Sequence, residues 1–330
     1  MKNFLITGAL GFIGSNVVNY LSMKYPHIKI IILDKLSYCS SRNNIDKLSS
    51  HNTKIIIGDI SNRELLTHIL NEYQIDHVIH FAASSHVANS FYNSIDFTIN
   101  NVLGTHYLLE ATREYHDKTK NLEKFIHIST DEVYGEVTDD IMRTETSILD
   151  PTNPYAATKA SAEFLVKSYY YSYKLPIIIT RSNNVYGINQ YPEKIIPRFI
   201  CQMLNKEKIT IEGNGSSKRN FIHVNDISTA IETIVLKGKI GEIYNISAPD
   251  DCEYDVMTIA KMIIELFGYD EENVKEHIVF IEDRKFNDCR YFIDADKLKQ
   301  LGWTALNTNL TDNLKELIEW YKQNKSRYNM

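Results

Sequence analysis

Two short stretches of this 330-residue chain hold groups that could move protons. One is Thr130-Asp131-Glu132, where two carboxylates stand side by side after the apolar run Lys124–Ser129. The other is Tyr155 with Lys159, spaced i and i+4 and therefore on one face of a helix. A phenol titrates near ~10 in water, too high for a base at neutral pH. A neighbouring ammonium favours phenolate, so the pair reads as a base for a hydroxyl proton. Adjacent carboxylates suit a different task, one giving a proton while the other takes one, if their surroundings hold them in opposite protonation states. Each pattern alone also arises from helix packing or strand-end polarity. Their joint presence carries the reading.

A third pattern suggests what works beside them. Thr7-Gly8-Ala9-Leu10-Gly11-Phe12-Ile13-Gly14 follows the first apolar run and enters a helical pattern. Glycines there allow a tight turn and a close backbone approach to a pyrophosphate, which the helix N-terminus then faces. Asp34 ends the second run about 20 residues after Gly14, where a carboxylate accepts from ribose hydroxyls and repels a 2′-phosphate. NAD is thereby favoured over NADP. Asp59 and Ile60 follow the third run, where the carboxylate could meet an adenine amine, and Phe81-Ala82-Ala83 ends the fourth with small residues. A glycine pattern alone is an ordinary strand-to-helix turn; its place after the first strand and the partners downstream raise it.

The elements that must position these groups alternate. Strand-like runs at Asn3–Ile6, Lys29–Leu33, Lys54–Ile57, His77–Phe81, Lys124–Ser129 and Pro176–Thr180 are separated by helical patterns at Phe12–Met23, Arg63–Tyr73 and Ile95–Glu114. That rhythm predicts α/β architecture with a doubly wound parallel sheet, covered on both faces because its strands are almost continuously apolar. After about residue 185 the elements shorten. Helices are expected at Pro197–Leu204, Val224–Leu236, Met257–Phe267 and Leu310–Gln323, with strands at Lys208–Glu212, Glu242–Ile246 and His277–Ile281. We read a dinucleotide-binding domain over 1–185 carrying the chemistry, and a smaller mixed α/β lobe over 186–330 interleaved with it.

Composition excludes several classes. Lys+Arg 36 against Asp+Glu 42 gives a net charge of -6, unlike a dedicated nucleic-acid binder. Hydrophobic content of 43% is too high for a disordered chain. No apolar run approaches the roughly 20 residues of a membrane span, and the N-terminus reaches glycines too early for a signal peptide, so a cytoplasmic protein is expected. Cys39, Cys201, Cys252 and Cys289 are dispersed and the histidines lack ligand spacing, so neither a disulfide framework nor a metal site is expected.

Taken together, Gly8/Gly11/Gly14, Thr130 and Tyr155/Lys159 resemble the extended short-chain dehydrogenases that act on nucleotide sugars, a Rossmann-fold group. Within it, Asp131-Glu132-Val133-Tyr134-Gly135 resembles the nucleoside-diphosphate-glucose 4,6-dehydratases. The resemblance runs almost end to end. It implies catalytic roles for Thr130, Asp131, Glu132, Tyr155 and Lys159, and adds Lys35 to the NAD site. It implies a substrate pocket of Ser85, His86, Thr130, Asn184, Lys194, Ile195, Arg219, Asn245 and Arg284. A homodimer through helices including Ile95–Glu114 and Ser161–Tyr173 is also implied. Lys285-Phe286-Asn287 departs from the Pro-Gly-His usual in bacterial dTDP-glucose enzymes, while the wording around Asp34 and Asn184 is closer to plant-type UDP-glucose dehydratases. The implied substrate is UDP-glucose or dTDP-glucose, and the reaction is C4 oxidation, loss of water across C5 and C6, and hydride return to C6. The rivals are an epimerase or decarboxylase on the same scaffold and a catalytically silent NAD-binding regulator.

Overall fold

A computed structural model describes residues 2–46 and 51–328. Strand β1 (Asn3–Thr7) passes through the glycine turn into α1 (Phe12–Lys24), followed by β2 (Lys29–Asp34), β3 (Thr53–Ile57), α2 (Arg63–Glu72) and β4 (His77–His80). Then come α3 (Gly104–Thr119), β5 (Lys124–Thr130), α4 (Pro154–Tyr173), β6 (Ile177–Ser182), β7 (Asn184–Tyr186), α5 (Ile195–Leu204) and β8 (Ile209–Glu212). The chain continues through β9 (Lys218–His223), α6 (Val224–Lys237), β10 (Ile243–Ile246), β11 (Glu253–Asp255), α7 (Val256–Leu266), β12 (Ile278–Ile281) and α8 (Leu310–Gln323).

Seven strands form one sheet in the order β10-β6-β5-β4-β1-β2-β3, every pair parallel. This is the doubly wound Rossmann-type sheet that the alternating runs predict. Side chains alternate across it, as the strand period of two requires. Leu5, Ile31, Leu33, Val78, Phe125 and Ile177 pack with apolar residues of α2, α3 and α4. Ile6, Ile30, Ile32, Ile79, Ile126 and Ile178 pack with those of α1 and α6. Each such side chain removed from water contributes roughly 1.5–3 kcal/mol, which fixes register as well as stability. Strand order reverses between β1 and β4, so a crevice opens at their carboxyl ends.

The chain returns to this sheet late, because β10 pairs with β6 after α6 has covered the face beside α1. The remaining elements build a second layer around a separate core that includes Phe199, Ile211, Phe221, Ile259, Leu314 and Tyr321. There β9 lies between β7 and β11, and β8 pairs with β12 in parallel. Strands β7, β9 and β11 are absent from the sequence expectation; they are three to six residues long and mostly polar, without a readable alternation.

The helix expected over Ile95–Glu114 differs more. A short turn at Ser94–Phe97 runs into a π-helix at Thr98–Leu103, and only then into α3, which continues to Thr119. The wide turn directs Asn101 inward. Its Oδ1 accepts from the Ser84 N–H at 2.7 Å, while Nδ2 donates to Ser84 O at 2.9 Å and Thr158 Oγ1 at 3.0 Å. The loop after β4 is thereby tied to α4. Such a π-turn leaves no mark on hydrophobic periodicity.

The glycine turn brings backbone close at Gly8, where φ is +66° and an added Cβ would stand 2.5 Å from the Ala82 nitrogen. Gly8→Ala should therefore lose about 2 kcal/mol or more, combining left-handed strain with a backbone clash. Gly268→Ala, at φ +90° but with nothing within 4 Å of its Cβ, should lose only the strain part. Urea unfolding of the two variants checks the contrast; equal losses would mean that the approach to Ala82 is not tight.

Candidate active site

A cavity of about 560 Å³ occupies the crevice. At one end Gly8, Gly11, Phe12, Ile13 and Gly14 line it. A Cβ on Gly14 would stand 2.7 Å from Ala9 Cα, so the turn admits no side chain there. No side chain caps α1, which leaves its first N–H groups free for a ligand's oxygens. Asp34 is buried beside them, its Oδ2 accepting from the Leu10 N–H at 2.9 Å and its Oδ1 from the Leu36 N–H at 2.8 Å. It thus anchors the glycine turn to β2 and still lines the cavity. Lys35, Ile60, Phe81, Ala82 and Ala83 complete this end. Asp59 does not line it, although Gly58 and Ile60 do. Its carboxylate turns away, accepting from the Ser61 N–H at 2.8 Å and pairing with Lys35 at 3.6 Å.

At the middle of the cavity β5 ends in Thr130, Asp131 and Glu132, and α4 presents Tyr155 and Lys159. A 3-10 turn over Asp131–Tyr134 follows the strand at once; the Glu132 N–H donates to Thr130 Oγ1 at 3.3 Å and fixes it. Asn153 caps α4, its Oδ1 accepting from the Ala156 N–H at 2.9 Å, and Pro154 begins the first turn. The same asparagine donates through Nδ2 to Glu132 Oε2 at 3.1 Å. Asp131 is 2% exposed, and its Oδ2 accepts from Asn183 Nδ2 at 2.9 Å. Burial pushes its carboxyl up to about 7, with the Glu132 charge acting in the same direction and the Asn183 bond opposing. The two carboxylates therefore stand in different surroundings.

Lys159 is buried, donates to Ile128 O at 2.6 Å, and is brought down to about 8 by desolvation. Burial, then the Glu132 charge, push the Tyr155 phenol above its ordinary value. Its use as a base consequently needs a further positive charge in the cavity. Tyr155 packs edge-on to Phe97 at 6.4 Å between ring centroids.

The far end collects cations. Ser85, His86, Asn184, Lys194, Ile195, Arg219 and Arg284 all line it. Lys194 donates to Ser85 O at 2.7 Å, and burial lowers its ammonium. Arg219 donates to Asn287 Oδ1 at 3.2 Å, and Arg284 donates to the same oxygen. One amide thus holds two guanidinium groups together, a geometry suited to a diphosphate. Asn245 is not part of the cavity wall. It is fully buried and knots β10 to neighbouring loops, accepting from Tyr134 OH at 2.8 Å and donating through Nδ2 to Asp294 O at 2.9 Å.

The site residues that sequence reasoning passed over are the holders of the carboxylates: Asn183, Asn153 and Tyr291, whose hydroxyl is 3.4 Å from Glu132 Oε2. Asn153 carries a readable signal as a capping residue before a proline; the other two carry none.

Raising a carboxyl from 3.8 to about 7 has a sign in stability. Between those values the folded state keeps a proton that the unfolded state has released, so unfolding free energy falls as pH rises. The protonated form's contribution is complete below pH ~4 and gone above ~7, a change on the order of 4 kcal/mol. Asp131→Asn should thus gain stability relative to the parent as pH rises from 4 to 8. Denaturant unfolding at both ends measures it; a gap that does not widen would contradict the burial of this carboxyl.

A family model described as GDP-mannose 4,6 dehydratase matches residues 5–317. The chain is 49% identical over 326 residues to an Arabidopsis thaliana trifunctional UDP-glucose 4,6-dehydratase/UDP-4-keto-6-deoxy-D-glucose 3,5-epimerase/UDP-4-keto-L-rhamnose-reductase, covering 98% of this chain and 47% of that protein. It therefore spans about half the length of such relatives. A Dictyostelium discoideum dTDP-D-glucose 4,6-dehydratase is 44% identical, with 99% of this chain and 83% of that one covered. Among solved structures, dTDP-glucose 4,6-dehydratase from Bacillus anthracis, in complex with NAD, superposes with a TM-score of 0.89 at 36% identity over 100% of this chain and 99% of that one. The Streptomyces venezuelae enzyme gives 0.90 at 33% identity, with 99% of each chain covered. With the match extending over nearly its whole length, the chain belongs to the GDP-mannose 4,6-dehydratase family of nucleotide-sugar dehydratases.

Proposed function

We propose that this chain is an NAD-dependent nucleoside-diphosphate-glucose 4,6-dehydratase, with UDP-glucose as substrate ahead of dTDP-glucose. The observation that carries the reading is the pair Asp131 and Glu132 beside Tyr155 and Lys159, with Asp131 held as an acid up to about pH 7 by burial. A module that only binds a dinucleotide needs neither carboxylate. UDP-glucose comes first because the relative at 49% identity carries that activity in its name and the dTDP-glucose relative stands at 44%.

The glycine turn, the uncapped start of α1 and Asp34 fit a dinucleotide, and Tyr155 and Lys159 would flank its nicotinamide. NAD, when bound, supplies a hydride acceptor for sugar C4, returns that hydride to C6, and adds a positive charge beside Tyr155. Tyr155 takes the proton from O4, and buried Lys159 together with Thr130 orients it. The resulting 4-ketone acidifies C5. Glu132 then removes the C5 proton while the C6–O bond breaks; the electron pair forms the C5=C6 bond, and Asp131 gives its proton to the leaving hydroxyl as water. Glu132 finally restores a proton to C5. The cations Lys194, Arg219 and Arg284 would hold the diphosphate.

We also assign a homodimer. Ile95, Ile99 and Leu103, spaced four apart, are 73%, 49% and 42% exposed, and Phe164 and Tyr171 on α4 are 60% and 65% exposed. Apolar residues in such a row mark a contact surface. Ile99→Glu with Phe164→Glu should give a monomer in sedimentation; an unchanged dimer would place the interface elsewhere, and monomeric parent protein would remove it. We place the enzyme in the cytoplasm, where thiols such as Cys39 and Cys289 stay reduced.

Incubation with UDP-glucose and with dTDP-glucose, read by product mass, tests the activity. Loss of one water is expected, with deuterium placed at C4 reappearing at C6 of the same molecule. A UDP-galactose product with no water lost would make this an epimerase. Glu132→Gln should slow elimination by roughly a hundredfold or more, since an amide cannot take the C5 proton, and solvent deuterium should no longer enter C5. Wild-type elimination by that variant would remove Glu132 as the base.

A further inference from the structure

Behind Glu132 lies a second buried carboxylate that the reaction as derived above does not use. Asp288 is 2% exposed and Tyr291, three residues on, is 3% exposed. The Tyr291 hydroxyl stands 2.5 Å from Asp288 Oδ2 and 3.4 Å from Glu132 Oε2. The other Asp288 oxygen, Oδ1, accepts from Thr152 Oγ1 at 2.7 Å. Thr152 precedes Asn153, which donates to Glu132 Oε2. Consecutive residues therefore fasten the two carboxylates, with one phenol between them. Tyr291 lines the cavity, and the Arg219 guanidinium lies 4.7 Å from its ring centroid.

A hydroxyl has one proton to donate and two lone pairs with which to accept. Two carboxylates compete for that proton here, and the distances assign it to Asp288. A lone pair is then left on the Glu132 side. A phenol donating to Glu132 would stabilise the ionised carboxylate and weaken it as a base. A phenol accepting from Glu132 does the opposite, because it stabilises the carboxyl after it has taken a proton. Burial and the Glu132 charge both keep the Tyr291 phenol protonated, so it retains the proton that Asp288 receives.

We propose that Tyr291, polarised by Asp288, is a positioning residue that accepts the hydrogen bond of protonated Glu132 during elimination and so sets the strength of that base. This rests on the dehydratase reading. The C5–H bond breaks, its electron pair forms the C5=C6 bond, and the proton goes to Glu132, whose new O–H donates to the Tyr291 oxygen. No proton leaves Tyr291. The other groups that face Glu132 are Asn153, which donates to the same oxygen, Asp131 beside it, Tyr155 on α4 and Lys194 at the start of α5. None of them offers an acceptor that is already turned toward Glu132 by a second carboxylate.

The test uses the full chain with NAD, on whichever of UDP-glucose and dTDP-glucose the wild-type enzyme dehydrates faster. Tyr291→Phe removes the acceptor and keeps the ring. Asp288→Asn can donate its amide hydrogen to the phenol oxygen and send the phenolic proton toward Glu132. Both should lower kcat by about tenfold to a hundredfold while KM stays within about twofold, as loss of part of an acid–base contribution requires. The isotope effect from deuterium at C5 should rise and that from C4 should fall, since only proton removal from C5 has slowed. A purely structural role would slow C4 oxidation equally and leave that ratio unchanged; this result overturns the proposal. Wild-type kcat in either folded variant also overturns it. Should Tyr291→Phe not fold, Asp288→Asn decides by the same ratio. Wild-type protein that removes no water from either sugar nucleotide overturns the dehydratase reading and this assignment with it, whereas failure in the variants alone leaves that reading standing.

Discussion

Desolvation at the carboxyl end of β5 is the constraint from which the site follows. Asp131 lies where the strand stops and the 3-10 turn begins, 2% exposed and with Asn183 as its charge-compatible partner. A carboxyl in water could not stay protonated near neutral pH, whereas burial moves this one to about 7. The adjacent Glu132 faces the cavity, with Asn153 and Tyr291 as hydrogen-bonding neighbours. Two identical functional groups on adjacent residues thus stand in different surroundings. The cost appears as reduced stability above the ordinary carboxylate range, carried by a large apolar sheet on which one destabilised group is a small fraction.

The cavity wall carries both signs of charge, its acids Asp34, Asp131, Glu132, Glu193 and Glu212 standing among its cations. Net charge is -6, yet Lys159, Lys194, Arg219 and Arg284 all line the crevice. Low-dielectric walls make those charges count for more than surface ones. Asn287 shows how like charges are kept together, since its single amide oxygen accepts from both arginines. Burial lowers Lys159 to about 8 and lowers Lys194 as well, which keeps both responsive to an anionic ligand.

The cavity lining was legible in the sequence where a residue type and a strand end coincide. Gly8, Asp34 and Thr130 line one cavity because parallel strands place their carboxyl ends on one edge, and Tyr155 and Lys159 reach it from α4. Asp59 fails the same logic by one position: Ile60 reaches the cavity while its neighbour turns to Ser61 and Lys35. Asn245 fails for another reason, since a polar side chain on a buried strand can serve the backbone of adjoining loops instead of a ligand. The holders Asn183 and Tyr291 were hidden because a hydrogen bond between residues 52 or 159 positions apart has no local pattern. The π-turn before α3 was hidden because hydrophobic spacing survives one extra residue.

The geometry of the site depends on the way α4 is keyed to the sheet. Tyr155, Lys159 and Glu163 fall four residues apart on one face of that helix. Glu163 is completely buried and pairs with Arg181 of β6 at 2.6 Å, while Arg181 also donates to the hydroxyl of Tyr134, the last residue of the 3-10 turn, at 2.7 Å. Removing one partner of such a buried pair would leave an uncompensated charge, typically at a cost of about 3–5 kcal/mol. Sliding α4 by one residue would turn its side chains by roughly 100° and break this bond together with the Asn153 cap. The register that satisfies both is the one that presents Tyr155 and Lys159 to the cavity. A buried ion pair and a helix cap therefore specify the same rotation of a single helix, the one that turns Tyr155 and Lys159 to the cavity.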